Sequence, residues 1–170
     1  MAKKSKYGNY IAGGIALLFG ILTCCMMFLE AVSYTADLAI TKASYSYTGS
    51  QLVFGYKETL GSGSLSVTTT ILNFNFMALL AFFLPLVGGL LAIVTNNGLI
   101  SKILTTACFV VGAVFLFTLA AYAPVGMSES QAELVKNLDV ALGLGPILGG
   151  VFSVIGAVVC FFKGSIAKKF

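Results

Sequence analysis

The stretch FMALLAFFLPLVGGLLAIVTNNGLISK, residues 76–102, decides the fold class of this chain. Its first nineteen residues carry no charge, which is close to the length of helix that crosses a hydrocarbon core of about 30 Å. A short polar segment with Asn96, Asn97 and Gly98 follows, and such residues favour a turn. Another apolar run begins directly after Lys102. The stretch therefore predicts two antiparallel membrane-spanning helices joined by a tight connection.

Two further apolar runs of similar length occur in the chain. The protein is 58% hydrophobic and 9% charged, whereas a soluble domain carries about 25% charged residues. Barrel strands would show shorter, alternating segments, so helices are favoured. We expect the first run to be a retained span, since it is longer than the apolar part of a signal peptide. The sequence predicts an all-α membrane protein, a four-helix transmembrane bundle forming a single domain over 1–170, with spans at 10–32, 76–94, 103–123 and 140–162.

Charge is distributed unequally between the segments that connect the runs. Lysines precede the first run, lie between the second and third, and follow the fourth: Lys3, Lys4, Lys6, Lys102, Lys163, Lys168 and Lys169. The six acids fall in or beside the segments on the other side: Glu30, Asp37, Glu58, Glu129, Glu133 and Asp139. Lysine enrichment marks the cytoplasmic side of membrane proteins. We therefore expect a multi-pass protein of the plasma membrane with both termini in the cytoplasm. Lipid is the expected partner of these lysines, and no nucleic-acid partner is predicted.

The first external loop, 33–75, alternates between polar and apolar residues and predicts a small antiparallel sheet. Gly49 and Ser50 lie between two alternating runs, which is typical of a two-residue hairpin turn. Such a turn places Tyr47 opposite Leu52 and puts Ser44, Ser46 and Val53 on the other face. We expect three strands, at 41–48, 51–58 and 65–71. Their aromatic and apolar residues would share one face, a candidate interaction surface formed by Tyr45, Tyr47, Leu52, Phe54 and Tyr56.

The second external loop predicts a short amphipathic helix over 128–142. Ser128 and Gln131 have the spacing of a capping box, and apolar residues recur at helical spacing after them. Pro146 suits the first turn of the fourth span.

The residue types that most often carry catalysis or bind metals are scarce. The sequence has no histidine, arginine or tryptophan, and its serines and threonines have no evident base to activate them. All four cysteines fall in the spans, so no external disulfide is expected. The sequence predicts a protein that is not an enzyme, with no cofactor and no metal site.

Glycine and proline mark two further candidate sites within the spans. Pro85 lies in the middle of the second span, close to Gly88 and Gly89, and would act either as a hinge or as a static kink. Gly145 and Gly149 offer a small face for close helix approach. The sequence leaves open whether this face packs within one chain or between subunits.

The order of segments resembles the claudin arrangement. Both have short tails, a long first external loop with strands, a short inner loop and a shorter second external loop. Claudins also carry a tryptophan-containing motif and a cysteine pair in the first external loop, and neither occurs here. The resemblance is one of topology, and it implies lateral association or adhesion through an external sheet.

These features predict a non-enzymatic interaction or scaffold subunit of the membrane, acting through its external sheet or its glycine-rich helix faces. The partner would be a second copy of the chain or another membrane protein. The alternative is a small pore or transport protein gated around Pro85, or an accessory subunit of a transporter.

Overall fold

Four long helices form the body of the protein in its computed structural model, which describes residues 6–38, 41–60, 66–95, 98–127, 132–133 and 138–167. They are α1 (Lys6–Cys25), α3 (Phe76–Val94), α4 (Leu99–Phe117) and α6 (Leu144–Phe161). Each is long and apolar enough to cross a membrane, as predicted from the sequence. The helices pack in the cyclic order α1, α3, α4, α6.

Three of the four predicted spans extend beyond their helices. The first was expected to reach Val32, but α1 ends at Cys25, and a 3₁₀ turn follows before strand β1 (Glu30–Leu38). The third span was expected at 103–123; its helix instead begins at Leu99 and ends at Phe117, before the short helix α5 (Leu119–Tyr122). The fourth was expected at 140–162, but its first residues form strand β5 (Asp139–Leu142). In the first and fourth cases the predicted span includes apolar residues of β1 and β5, because hydropathy alone does not distinguish a strand from a helix.

The short connection between α3 and α4 lies at one end of the bundle and the strands lie at the other. The remaining strands are β2 (Thr41–Thr48), β3 (Tyr56–Leu60) and β4 (Val67–Leu72). One sheet has the order β2-β1-β5 and the other pairs β3 with β4; all pairs are antiparallel. The backbone of Gly8 in α1 lies against that of Ala167, after the short helix α7 (Lys163–Ile166), so the ends of α1 and α6 meet away from the sheets.

The predicted hairpin turn at Gly49-Ser50 is wrong. These residues begin a short helix, α2 (Gly49–Phe54), and Thr48 is its N-cap. The Gln51 amide donates to Thr48 Oγ1 at 3.3 Å, and the Thr48 amide donates to Gln51 Oε1 at 2.9 Å. This reciprocal capping box satisfies two backbone donors and stabilises the helix start. Gly55 then ends the helix with φ of +87°, a conformation that favours glycine.

The strand predictions hold in part. Strand β2 coincides with the strand expected at 41–48, and β4 overlaps the one expected at 65–71. The strand expected at 51–58 is replaced by α2 and the later strand β3. The partner of β2 is β1, which had been assigned in part to the first span.

The amphipathic helix predicted at 128–142 is wrong at its C-terminal end. Residues 139–142 form β5, which pairs with β1, while Ala132 and Glu133 are helical. The rest of the prediction, at 128–131 and 134–137, lies outside the described residues.

The main core lies where the sheets meet the helices. Its largest fully buried side chains come from β1, α2, β4, α3, α4 and α5 together: Tyr34, Leu52, Leu72, Phe82, Leu116 and Leu119. A second cluster fills the other half of the bundle and is centred on Phe109 with Ala16, Ala92 and Ala157. The sheets are therefore fixed to the helix ends by shared packing.

Candidate interaction surface

The three-stranded sheet has one apolar face and one polar face. Val32 and Tyr34 of β1 are buried, and their cross-strand partners Tyr47 and Tyr45 share their face. On the other side of β1 the same face continues with Leu142 and Val140. The opposite face carries Ser33, Thr35, Ser44 and Ser46. The alternation of serine and tyrosine in β2 therefore indicated the two faces correctly, although it named the wrong partner strand.

The five residues predicted to share one interaction face do not do so. Leu52 is buried in the core, because α2 turns it toward the helices. Tyr47 and Tyr56 are half-buried against the same core. Tyr45 and Phe54 stay 64% and 62% exposed, but they belong to a strand and a helix. Val53, expected on the opposite face from Leu52, is buried as well. The predicted face does not form, because residues 49–54 are a helix and not a strand.

The outer edge of β2 is the accessible part of this sheet. Within the described residues β2 pairs with β1 alone, so its other edge has unpaired backbone donors and acceptors. Ser44, Tyr45 and Ser46 are all exposed along it. Tyr45 extends the apolar face past the point where the helices cover it. We refer to Thr41–Thr48, with the Tyr45 ring, as the β2 edge.

Tyr34 anchors the sheet beneath this edge and was not among the predicted site residues. Its ring contacts that of Tyr47 edge-on, with centroids 6.0 Å apart. Its hydroxyl is buried and has no hydrogen-bond partner among the described residues. Burial, together with nearby Tyr47, raises the pKa of Tyr34 to about 12. The alternation Val32-Ser33-Tyr34-Thr35 could have identified this strand, but Val32 also continues the apolar run of the first predicted span.

Tyr47 lies between the two sheets. Burial raises the pKa of Tyr47, and the Glu58 carboxylate of β3 acts in the same direction. The β2 edge is thus held on one side by β1 and lies near the charged surface of β3.

The glycine face predicted on the fourth span packs within the chain. A Cβ on Gly145 would lie 2.7 Å from the carbonyl oxygen of Met26, so the start of α6 touches the backbone that follows α1. Gly149 is also buried, with Leu116 and Met26 within ordinary contact distance. Both residues therefore pack against other segments of the same chain. In the structure this face packs within one chain, and its use between subunits stays a prediction.

Pro85 is enclosed by glycines of two neighbouring helices. A Cβ on Gly112 of α4 would lie 2.5 Å from Pro85 Cγ, and one on Gly20 of α1 would lie 2.8 Å from the Pro85 carbonyl oxygen. Gly88 packs against Cys108, and Gly89 packs against the backbone of Leu17. The structure brings the three predicted hinge residues together in a tight interface. Gating around Pro85 stays a prediction.

Lys163 is an unexpected buried cation at the end of the bundle away from the sheets. It is 3% exposed, and its Nζ donates to the carbonyl oxygens of Ala92 and, at 2.8 Å, of Thr95. These carbonyls belong to the C-terminal end of α3, where a cation is favourable. Burial lowers the pKa of the Lys163 ammonium, and the neighbouring charge of Lys102 acts in the same direction. The sequence alone predicts Lys163 only as one of the lysines of the cytoplasmic side.

In the part of the chain that the structure describes, no group of three or more Cys, Asp or Glu side chains is placed to hold a metal ion. Comparison of this chain with protein-family models, with curated proteins and with solved structures finds no match.

Proposed function

We propose that this protein is a non-enzymatic interaction subunit of the plasma membrane, and that it associates with a second copy of itself through the β2 edge. Both termini would lie in the cytoplasm, as the lysine distribution favours, and the sheets would lie outside. The observation that carries the proposal is the eight-residue edge strand with an exposed tyrosine and one side that is unpaired among the described residues.

An exposed strand edge of this kind is a template for another strand. Its backbone groups form the same hydrogen bonds with a neighbouring chain that they form within a sheet. Natural edges are often protected by several charges, by proline or by a bulge. The β2 edge has no proline and one charged residue, Lys42, and its register with β1 is regular from Tyr47 to Thr41.

A second copy is the occupant that the geometry favours. Two copies in one membrane share their inside-outside orientation, so a two-fold axis along the membrane normal can relate them. Such an axis reverses the direction of a strand that lies perpendicular to it. The β2 strands of the two copies would therefore pair antiparallel. A register centred on Tyr45 places the two tyrosine rings opposite each other, a favourable aromatic pair. It also places Lys42 of one copy opposite Thr48 of the other, so the two lysine positions are about 20 Å apart.

Cysteine cross-linking in native membranes tests this register. Tyr45→Cys should give a covalent dimer under mild oxidation, since residue 45 faces itself across the axis. Lys57→Cys, exposed on β3, is the matched control and should stay monomeric. The parent chain, with its four cysteines in the spans, sets the background.

A charge at the centre of the interface provides the complementary test. Tyr45→Lys should shift the chain from dimer to monomer in lipid nanodiscs counted by single-molecule photobleaching, while Lys57→Gln should not. A monomeric parent chain together with no cross-link at residue 45 would refute self-association through this edge. Cross-linking of residue 45 to another protein would keep the edge as the interface and replace the second copy as its occupant.

A further inference from the structure

We propose that the groove between α4 and α6 binds an anionic phospholipid, with an acyl chain along the helices and the headgroup phosphate held by Lys102. The inference is independent of the β2 edge, which lies at the other end of the bundle.

The groove runs along the outer side of α4 and α6. Its lower part, nearer the α3–α4 connection, has a volume of about 590 Å³ and walls formed by Leu99, Ile103, Ala107, Val110 and Phe161, with Lys102 at its end. A second part of about 420 Å³ adjoins it and reaches Phe117. The two parts share Thr106, Val110 and Phe161, so they form one continuous channel.

The groove opens sideways, toward the surroundings of the bundle. Val110 and Phe161 in its walls are about half-exposed or more. Both belong to helices long and apolar enough to cross a membrane. An occupant of this groove therefore comes from the hydrocarbon of the bilayer and is itself apolar along most of its length.

Lys102 supplies the charge that selects the headgroup. Its Nζ lies 2.6 Å from the position that a Cβ on Gly164 would occupy, so the ammonium rests against α7 at the mouth of the groove. Lys163 precedes Gly164 in α7, so its charge lies near that of Lys102. Burial is the main cause of the lowered pKa of Lys163, and the charge of Lys102 acts in the same direction. The acids Glu30, Asp37, Glu58 and Asp139 belong to strands at the other end of the bundle. An anion beside Lys102 would offset this repulsion.

The start of α4 adds to the positive potential at this mouth. The N-cap of α4 is Gly98, which provides no side-chain hydrogen bond to the first amide groups of the helix. Free amides and the helix dipole at such a terminus favour an anion. Lys102 lies within the first turn of the same helix.

The lower part of the groove spans most of one leaflet. From Lys102 to Val110 the helix rises about 12 Å. One leaflet provides about 15 Å, half of a hydrocarbon core of about 30 Å. Thr106 lies one turn deeper than Lys102, about 6 Å, and its hydroxyl has no hydrogen-bond partner among the described residues.

Native mass spectrometry of the full chain from mild detergent tests the proposal with phosphatidylglycerol and phosphatidylcholine of identical acyl chains. The parent chain should retain one phosphatidylglycerol in preference to phosphatidylcholine. Lys102→Gln should reduce that preference about fivefold, the contribution of one lysine near a membrane surface. Lys57→Gln, the same loss of charge at the opposite end, should leave it unchanged.

A second variant separates the groove from general attraction to an anionic membrane. Ala107 is exposed and lines the lower groove, so Ala107→Phe should fill the groove and abolish retention. Val87→Phe, on the exposed side of α3, should not. Free glycerol 3-phosphate should fail to compete, because it lacks the acyl chain.

Three results would each overturn the proposal. They are equal losses for Lys102→Gln and Lys57→Gln, unchanged retention in Ala107→Phe, and a second protein chain in place of the lipid at this groove.

Discussion

Gly13 and Gly14 are adjacent residues of α1 that offer a direct measurement of helix packing in this bundle. A Cβ on Gly13 would lie 2.7 Å from the carbonyl oxygen of Ala92 and 2.9 Å from the Cα of Ile93. Both atoms belong to the backbone of α3 and do not move independently of it. A Cβ on Gly14 would have no neighbour within 4 Å. We therefore expect Gly13→Ala and Gly14→Ala to have opposite effects on stability.

The expected difference follows from two opposing contributions. Alanine raises the intrinsic helix propensity at either position by up to about 1 kcal/mol. Gly14→Ala should show that gain alone. At Gly13 the new methyl group would need about 3.5–4 Å from its neighbours, so α1 must move away from α3 by about 1 Å. Overpacking of this kind costs about 1–3 kcal/mol, and Gly13→Ala should therefore be less stable than Gly14→Ala by that amount.

The measurement is unfolding in mild-detergent micelles titrated with SDS and followed by far-UV circular dichroism. Gly89→Ala provides an independent check of the same interface, since its Cβ would lie 2.7 Å from the Cα of Leu17. It should behave like Gly13→Ala. Equal stability of the Gly13 and Gly14 variants would refute the close approach of α1 and α3.

Three further predictions concern single side chains. Lys163→Met removes the donor to two carbonyls at the end of α3, so the free energy of unfolding should fall by about 1–3 kcal/mol; Lys57→Met should change it by less than about 0.5 kcal/mol, and equal losses would contradict the capping role. Tyr34→Phe removes a buried hydroxyl without a partner among the described residues and should leave stability equal or higher. Because the pKa of Tyr34 is raised from 10 to about 12 in the folded chain, the contribution of Tyr34 to thermal stability should be constant below pH 10 and fall between pH 10 and 12, and a fall of the same size in Tyr34→Phe would exclude this residue as its source. Thr48→Val removes the capping box and should destabilise α2 by about 1 kcal/mol, seen as faster amide exchange at 49–54; unchanged exchange would favour the hairpin turn instead.

Local sequence patterns predicted the spanning helices and one strand because these depend on nearby residues alone. The uncharged run from Phe76 to Val94 has the length of a membrane-spanning helix, and the observed α3 has those bounds. The alternation of serine and tyrosine before Thr48 indicated a strand with one apolar face, and β2 is that strand. In both cases the signal is carried by residues that are neighbours in the sequence.

The region around Gly49 could not be predicted because two local signals compete there. Gly49-Ser50 suits a hairpin turn, while Thr48 and Gln51 have the spacing of a capping box. Packing selects the helix: α2 buries Leu52 and Val53 in the main core, and Gly49 lies against Met27 and Phe82. A side chain at residue 49 would meet the ring of Phe82 at 2.8 Å.

By itself, then, the sequence determined four apolar helices, each long enough to cross a membrane. Tertiary structure alone decided which strands pair, because the alternation of a strand fixes its faces and not its neighbour. It also decided that Gly145 serves packing within the chain, and that Lys163 is buried at the end of α3. Both depend on contacts between residues more than sixty positions apart, and no local pattern records such contacts.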